Sequence, residues 1–496
     1  MPATAFFVLL ALAGATGLAG WIVARQPAPV RRQLLIVCFV AIALRVGVGV
    51  LLNLLGTWQI TERGAISPDD AVIDYAASLI AGGDERSPGR LGGSPYTSWL
   101  IVASSVYELG NSLVTLKLVN ALLGTLLVIP CFLLGRELHS DRAGLLAAWG
   151  VALFPNAIVW SSLALREPLI VLLLTTLILI GVRIVANDSR PSRHVALAGL
   201  GVVCLVILAF TRAYMVPLML ALMLITGAVA ALCRRTLSPL GPTLTVGVLA
   251  VALVIALPNG LELTRATLAL GSGEVASIYN PLGACTEASG CARGESEPAS
   301  PATRVVQGGL SGTDRPRARS VTDRRGNADA DAARSGGPRS EDFVPRPGST
   351  AGAASPSDSE QSVEKKGFVR AFAIPVLAGR PVWERTEFFF LLQPGVVVWW
   401  VLLPCMIAGA ALLLRGRRLP AFVFLGGFCS SVVVFLAYTG QFIRHHYMIE
   451  AVALVIASVG VIGLLETQRP RVRRLAAAAC AGMGLAATAS VAASVL

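Results

Sequence analysis

Apolar positions in this chain come in unbroken runs rather than in alternating stripes. Runs at 5–23, 34–55, 113–134, 143–160, 168–186, 195–211, 215–233, 243–257, 393–414, 419–438, 448–466 and 475–494 lie between shorter polar segments. Most approach the length of about 20 residues that a helix needs to cross hydrocarbon. The pattern predicts an all-α polytopic membrane bundle of about 11–13 transmembrane helices, with twelve as the working count. A first half at 1–257, an outer segment at 258–392 and closing membrane helices at 393–496 follow from the spacing. The first run has neither a basic leader nor a small-residue cleavage site, so a retained span is expected.

Two polar stretches stand out. In the loop 56–112, Ser67 and Pro68 open an amphipathic run in which Val72, Ile73, Ala76, Leu79 and Ile80 share one helical face. An outer helix lying on the membrane surface is expected there, with Asp70 and Asp74 pointing away from the apolar face. Between 271 and 366 the chain is rich in Gly, Ser, Pro, Ala and charged residues and poor in aromatics. That composition buries too little apolar surface to fold alone, so a long disordered loop is expected.

Composition then sets the orientation. Hydrophobic residues make up 55% of the chain, charged residues 14%, and the formal net charge is +12. Arg25, Arg31 and Arg32, Arg136 and Arg142, Arg183, Arg190 and Arg193, Arg234 and Arg235, Arg415 to Arg418, and Arg469 to Arg474 all fall on alternate connections. Basic residues in short loops stay cytoplasmic, so one face of the bundle is the cytoplasmic one. The positive balance is a topological signal, not a nucleic-acid footprint. The opposite face receives 56–112, the Arg166-Glu167 turn, Arg212 to Tyr214, 258–392 and Thr439 to Tyr447. Seven of the nine cysteines lie in apolar runs; Cys285 and Cys291 share the outer loop and suit a disulfide in an oxidising compartment as well as two free thiols.

Candidate chemistry therefore concentrates on the outer face, at Asp69, Asp70 and Glu167. For the paired aspartates, two readings stand side by side: first-turn acids behind an N-capping Ser67, or reactive carboxylates. Glu167 sits where the chain re-enters hydrocarbon, where ionisable groups are costly and often functional. It suits a structural pair with Arg166 as well as it suits catalysis or metal binding. Arg45, within the second run, calls for an acidic or polar partner. The histidines make no metal site: His445 and His446 are adjacent, and His139 and His194 belong to the other face.

The order of motifs resembles a family. Asp70, Asp74-Tyr75, Gly82, Ser94-Pro95-Tyr96, Val106-Tyr107-Glu108-Leu109-Gly110, Lys117-Leu118-Val119-Asn120, Phe154-Pro155, Trp160-Ser161 and Leu165-Arg166-Glu167 follow one another. This is similar to the GT-C polytopic glycosyltransferases that use lipid-phosphate sugars, a group including protein O-mannosyltransferases and lipid A aminoarabinose transferases. It covers about 34–215, with a weaker echo at 368–466. The resemblance implies an acid from the first outer loop, Asp69 or Asp70, acting as base or metal ligand, and a second acid, Glu167. Many members carry Asp-Glu with Tyr four residues after the Asp, whereas here the pair is Asp-Asp and Tyr75 comes later, which leaves the choice of Asp open.

Transfer from a polyprenyl phosphate needs a base near the acceptor and cationic groups against the departing phosphate. Asp74, Tyr75, Arg166, Arg212, Arg444 and His446 are the candidates for substrate binding, with a divalent ion on Asp70 and Glu167 as the metal option. The expected activity moves a sugar from that donor to a glycan, lipid or protein acceptor at the extracytoplasmic face of the plasma membrane. No phosphate-cradling Gly-rich motif is present, which favours a lipid-carried donor over a nucleotide sugar. Two alternatives remain open here: an O-antigen polymerase or ligase, which would fold an Arg-bearing loop over its cavity, and a transporter or flippase, which would show pseudo-symmetric halves and a midplane site.

Overall fold

The computed structural model describes residues 2–55, 64–66, 68–81, 97–110, 112–186, 191–212, 219, 392–416, 420–429 and 443–495. Apart from short connections the described residues are helical, and none of them lies in a strand. In chain order they form α1 (Pro2–Ala24), α2 (Ala28–Leu55), α3 (Pro68–Ala81), α4 (Thr97–Gly110), α5 (Leu113–Leu126), α6 (Val128–Leu138), α7 (Asp141–Leu153), α8 (Pro155–Ser161), α9 (Glu167–Ala186) and α10 (Pro191–Arg212). Beyond the central segment come α11 (Gln393–Arg415), α12 (Pro420–Cys429), α13 (Ile443–Glu466) and α14 (Pro470–Val495). The runs at 215–233 and 243–257, the segment 271–366 and both outer-loop cysteines lie outside the described residues, apart from Met219.

Among the described residues, six helices are long and apolar enough to cross a membrane, and the α7–α8 pair makes a seventh if counted as one broken span. α5 and α6 run together as one span, Leu113–Leu138. The run at 143–160, expected as a straight crossing, is bent by 56° between α7 and α8. The cause is local. Phe154 takes extended dihedrals (φ −66°, ψ 121°), and Pro155, which has no N–H, opens the next helix at its first position. α8 is therefore a short half-helix entering the bundle, and it hands the chain to an irregular turn at 162–166 before α9 begins.

Close helix crossings assemble the bundle. A Cβ at Gly135 would lie 2.8 Å from Gly144 Cα, which lets α6 and α7 pack almost backbone to backbone. α11 and α13 cross at Gly409 and Gly460, where added Cβ atoms would run into the carbonyls of Ile456 and Cys405 respectively. Small residues at such contacts are what membrane helices use when apolar side chains gain nothing over lipid. On the outside, α1 exposes Phe6, Phe7 and Trp21, a surface suited to acyl chains.

Polar links mark the two ends of the bundle. Arg136 donates to Gln26 Oε1 at 2.5 Å, Arg183 pairs with Glu137 at 3.3 Å, and His139 meets Glu466 at 3.2 Å. These join the α1–α2 link and the ends of α6, α9 and α13, four places that the basic-residue pattern put on one face. The groups assigned to the other face are joined to each other as well, as follows.

Candidate functional site

The site is built around the turn 162–166, whose backbone groups are satisfied by side chains from three helices and whose Ser162 hydroxyl is held by a fourth. Asn120 of α5 donates its amide to the carbonyls of both Leu163 and Leu165, each at 2.5 Å. Trp99 of α4 donates its indole N–H to the Ala164 carbonyl at 3.1 Å. From α2, the Arg45 carbonyl accepts the Ser162 hydroxyl at 2.8 Å. Asp70 of α3 supplies the last contact: its Oδ1 accepts the Ala164 N–H at 2.8 Å, while Oδ2 accepts the Ile66 N–H at 3.4 Å. An irregular segment this deep needs such partners, because hydrocarbon offers none.

This arrangement fixes two of the acids singled out from the sequence. Asp70 is fully buried and hydrogen-bonded three residues ahead of Glu167, which is itself buried in the first turn of α9. Arg166, also buried, donates to the Thr211 carbonyl at 3.3 Å and so ties the turn to the end of α10. The expectation that Asp70 and Asp74 point away from the packed face of their helix is corrected. Asp70, Ile73, Asp74, Ala76 and Ala77 are all buried, and Tyr107 of α4 donates its hydroxyl to Asp74. Both carboxylates turn inward because each has a donor waiting there, so α3 packs into the bundle and does not merely rest on it.

Lys117, in α5, is the cation closest to this pair in effect. Its ammonium donates to Asn53 Oδ1 and to the Gly64 carbonyl, both at 2.8 Å, and it interacts electrostatically with Asp70 and Asp74. Gly64 has φ 89°, a conformation that favours glycine, and this brings its carbonyl onto the ammonium. Burial pushes the Asp70 carboxyl up to about 6, well above its ordinary 3.8, with Lys117 and the two N–H donors pulling the other way and Asp74 adding to the rise. α3 lies outside the spans, and burial in a dry setting is what lifts this acid above the ordinary carboxylate range.

Other expected site residues are placed only by their backbones. Asp69 and Tyr75 lie in α3, Arg212 ends α10, and Arg444 and His446 lie in the first turn of α13; their side chains are outside the described residues. Lys117, Asn120, Tyr107, Tyr447 and Glu450 belong to the same interior and were not singled out as site residues. For Lys117 and Glu450 a signal existed, since each is an ionisable residue inside an apolar run. Among the described residues, no group of three or more His, Cys, Asp or Glu is arranged to hold a metal.

Residues 85–284 match the family described as "Oligosaccharyl transferase STT3, N-terminal". This bears out the resemblance to GT-C-type polytopic membrane glycosyltransferases, of which the oligosaccharyl transferases are one kind. The matched stretch contains Lys117, Asn120, the 162–166 turn and Glu167, and begins after Asp70. Similar solved structures include the oligosaccharyltransferase AglB of Archaeoglobus fulgidus in complex with an inhibitory peptide and a dolichol-phosphate. It is 14% identical, with 94% of this chain and 56% of that one covered, at a TM-score of 0.49. A second structure of an oligosaccharyltransferase from the same organism, in complex with Zn and sulfate, is 13% identical, with 92% of this chain and 51% of that one covered, at a TM-score of 0.46. The chain thus spans about half the length of these structures. Among curated proteins, none matches the sequence significantly.

Proposed function

We propose that this protein is a membrane glycosyltransferase that moves a sugar from a polyprenyl-phosphate donor to a glycan, lipid or protein acceptor at the extracytoplasmic face of the plasma membrane. The observation that carries this reading is the hydrogen bond from Ala164 N–H to Asp70 Oδ1, which seats one buried acid on the turn that opens into a second, Glu167. The family match over 85–284 supports the same chemistry.

In this reading Asp70 is the base that takes the acceptor's proton. A carboxyl held near 6 is mostly ionised at neutral pH yet basic enough to accept a proton, the compromise that general-base catalysis favours. Lys117 keeps the ionised form tolerable through its positive charge. Arg212, Arg444 and His446, carried at the ends of α10 and α13, supply positive charge for the donor phosphate, with Arg the better fit because its planar fork gives several donors at once. Asp74, Tyr75 and Arg166 shape the acceptor side.

Two buried carboxylates flanking one turn fit a hard divalent ion, which takes oxygen ligands and keeps several waters of its own. Asp70 and Glu167 would hold such an ion, and it would supply charge stabilisation for the departing phosphate.

Membranes containing the protein, given labelled polyprenyl-phosphate sugars and an extract of envelope acceptors, test the activity. Transfer of label out of the donor lipid is expected. Donor that crosses the bilayer intact, with no new glycosidic product, would make the protein a flippase instead.

A further inference from the structure

Two ionisable residues deep in the bundle, Arg45 and Glu450, have no role in the chemistry above. Both are essentially inaccessible, at 0% and 1% exposure. An ionisable group at that depth is costly and is kept where something specific requires it. What surrounds them is the break between α7 and α8.

The break leaves particular groups unpaired. In a continuous helix the Val151 carbonyl would receive the N–H of residue 155, which is proline, and the Ala152 carbonyl would receive that of Asn156. Arg45 supplies both instead: Nη2 donates to Val151 O at 3.0 Å and Nη1 to Ala152 O at 3.3 Å. A guanidinium at a helix C-terminus also opposes the partial negative charge of the last carbonyls. The polar partner that Arg45 calls for is thus backbone, not an acid. Gly124 leaves room for this reach, since a Cβ there would sit 2.9 Å from Arg45 Nε and 2.5 Å from Ser161 Cβ.

Arg45 Nη1 also donates to the Ala41 carbonyl of its own helix at 3.0 Å, and two further contacts bear on the same half-helix. Glu450 of α13 accepts the amide of Asn156, the second residue of α8, at 2.8 Å. The backbone carbonyl of Arg45 accepts the hydroxyl of Ser162, which follows the last residue of α8, at 2.8 Å. Tyr447, one turn before Glu450, lies within electrostatic reach of Arg45, Glu450 and Glu167.

We infer that Arg45 and Glu450 form a clasp on α8, holding its entrance at 151–156 and its exit at 162, and thereby set the position of the 162–166 turn against Asp70. They are positioning residues, and their effect on transfer rests on the function proposed above. Arg45 grips both ends at once, side chain below and main chain above, so a change in its side chain is transmitted to Ala164 and Glu167 along a seven-residue lever.

The test has two arms on the full-length protein in detergent or membranes. In the first, the thermal midpoint is measured for R45M, P155A and the double variant. R45M is expected to lower the midpoint by at least about 4 °C in the native background, whereas P155A gives residue 155 an N–H with which a straightened helix can satisfy the Val151 carbonyl without Arg45. In the P155A background the loss is expected to be less than half as large. Equal losses in the two backgrounds would overturn the clasp, whatever the protein's activity. In the second arm, transfer is measured for R45M, R45K and E450Q. R45M is expected to lower kcat at least about 10-fold per folded molecule with donor KM within about 2-fold, and R45K to recover part of it, because a positioning defect weakens transition-state contacts. A raised KM with unchanged kcat would make Arg45 a substrate ligand and overturn the positioning role. Absence of transfer in the unsubstituted protein would overturn the proposed function while leaving the first arm to decide the clasp.

Discussion

Asp70 Oδ1 accepts the backbone N–H of Ala164 at 2.8 Å, joining residues 94 positions apart in the chain. One bond brings the outer-loop helix to the turn before α9 and makes a single interior of two sequence regions. It also places a titratable group where protonation alters both stability and chemistry.

The first expectation concerns pH. The Asp70 carboxyl is raised to about 6 in the folded protein from an ordinary value of 3.8. The folded state therefore holds this proton more tightly than the unfolded chain between those two values. As pH rises through that window, stability is lost, by on the order of 3 kcal/mol in total above pH 6. The midpoint of D70N minus that of the unsubstituted protein should accordingly become more positive from pH 4 to pH 7. Transfer should run the other way, falling as pH drops through about 6 because the base becomes protonated. Thermal scans and initial rates across pH 4–8 measure both.

Lys117 sets where that titration falls. Its ammonium favours the ionised form of Asp70, so K117M should push the acid limb of the transfer profile to higher pH. It should also lower stability, since the Gly64 carbonyl and Asn53 Oδ1 each lose their donor at 2.8 Å. A profile unchanged from that of the native protein would show that Lys117 does not act on the base.

Asn120 carries the turn. N120L keeps the branched four-atom shape and removes two donors from the carbonyls of Leu163 and Leu165. A loss of about 2–4 kcal/mol is expected, the cost of two buried acceptors left open. It should appear as a lowered thermal midpoint together with weaker transfer, because the same turn holds Asp70.

Much of the architecture was legible in the chain, and the reasons are physical. Long apolar runs specify spans because a bilayer imposes a length on the helices that cross it. Glu167 and Asp70 were visible for a related reason, as acids at the edges of hydrocarbon. The break at Phe154–Pro155 was not read as one, since a proline at a helix start and a proline ending a helix look alike until the bend is seen. Asp74 was turned outward in the expectation because periodicity ranks side chains by polarity. It cannot register that Tyr107, 33 residues away, offers a buried donor. Asn120 was visible only within a family-like motif: one amide in an apolar helix says nothing of which carbonyls it will hold.

The crossing of α11 and α13 gives a purely structural expectation. G460L places side-chain atoms where the Cys405 carbonyl already sits, and Gly409 on the facing helix leaves no room to yield. Overpacking of that kind costs about 1–3 kcal/mol or more. Reduced yield of folded protein and a lower midpoint should follow, with no shift in the pH dependence of transfer in the molecules that fold.

Most direct is the initial rate of sugar transfer from a labelled polyprenyl-phosphate donor for D70N and E167Q, each normalised to folded protein. Loss of a catalytic carboxylate should slow transfer at least about 100-fold in each variant while protein level stays near that of the native chain, with the D70N midpoint following the pH dependence given above. Rates equal to the unsubstituted protein in both variants would contradict the account, leaving Asp70 and Glu167 as parts of the scaffold alone.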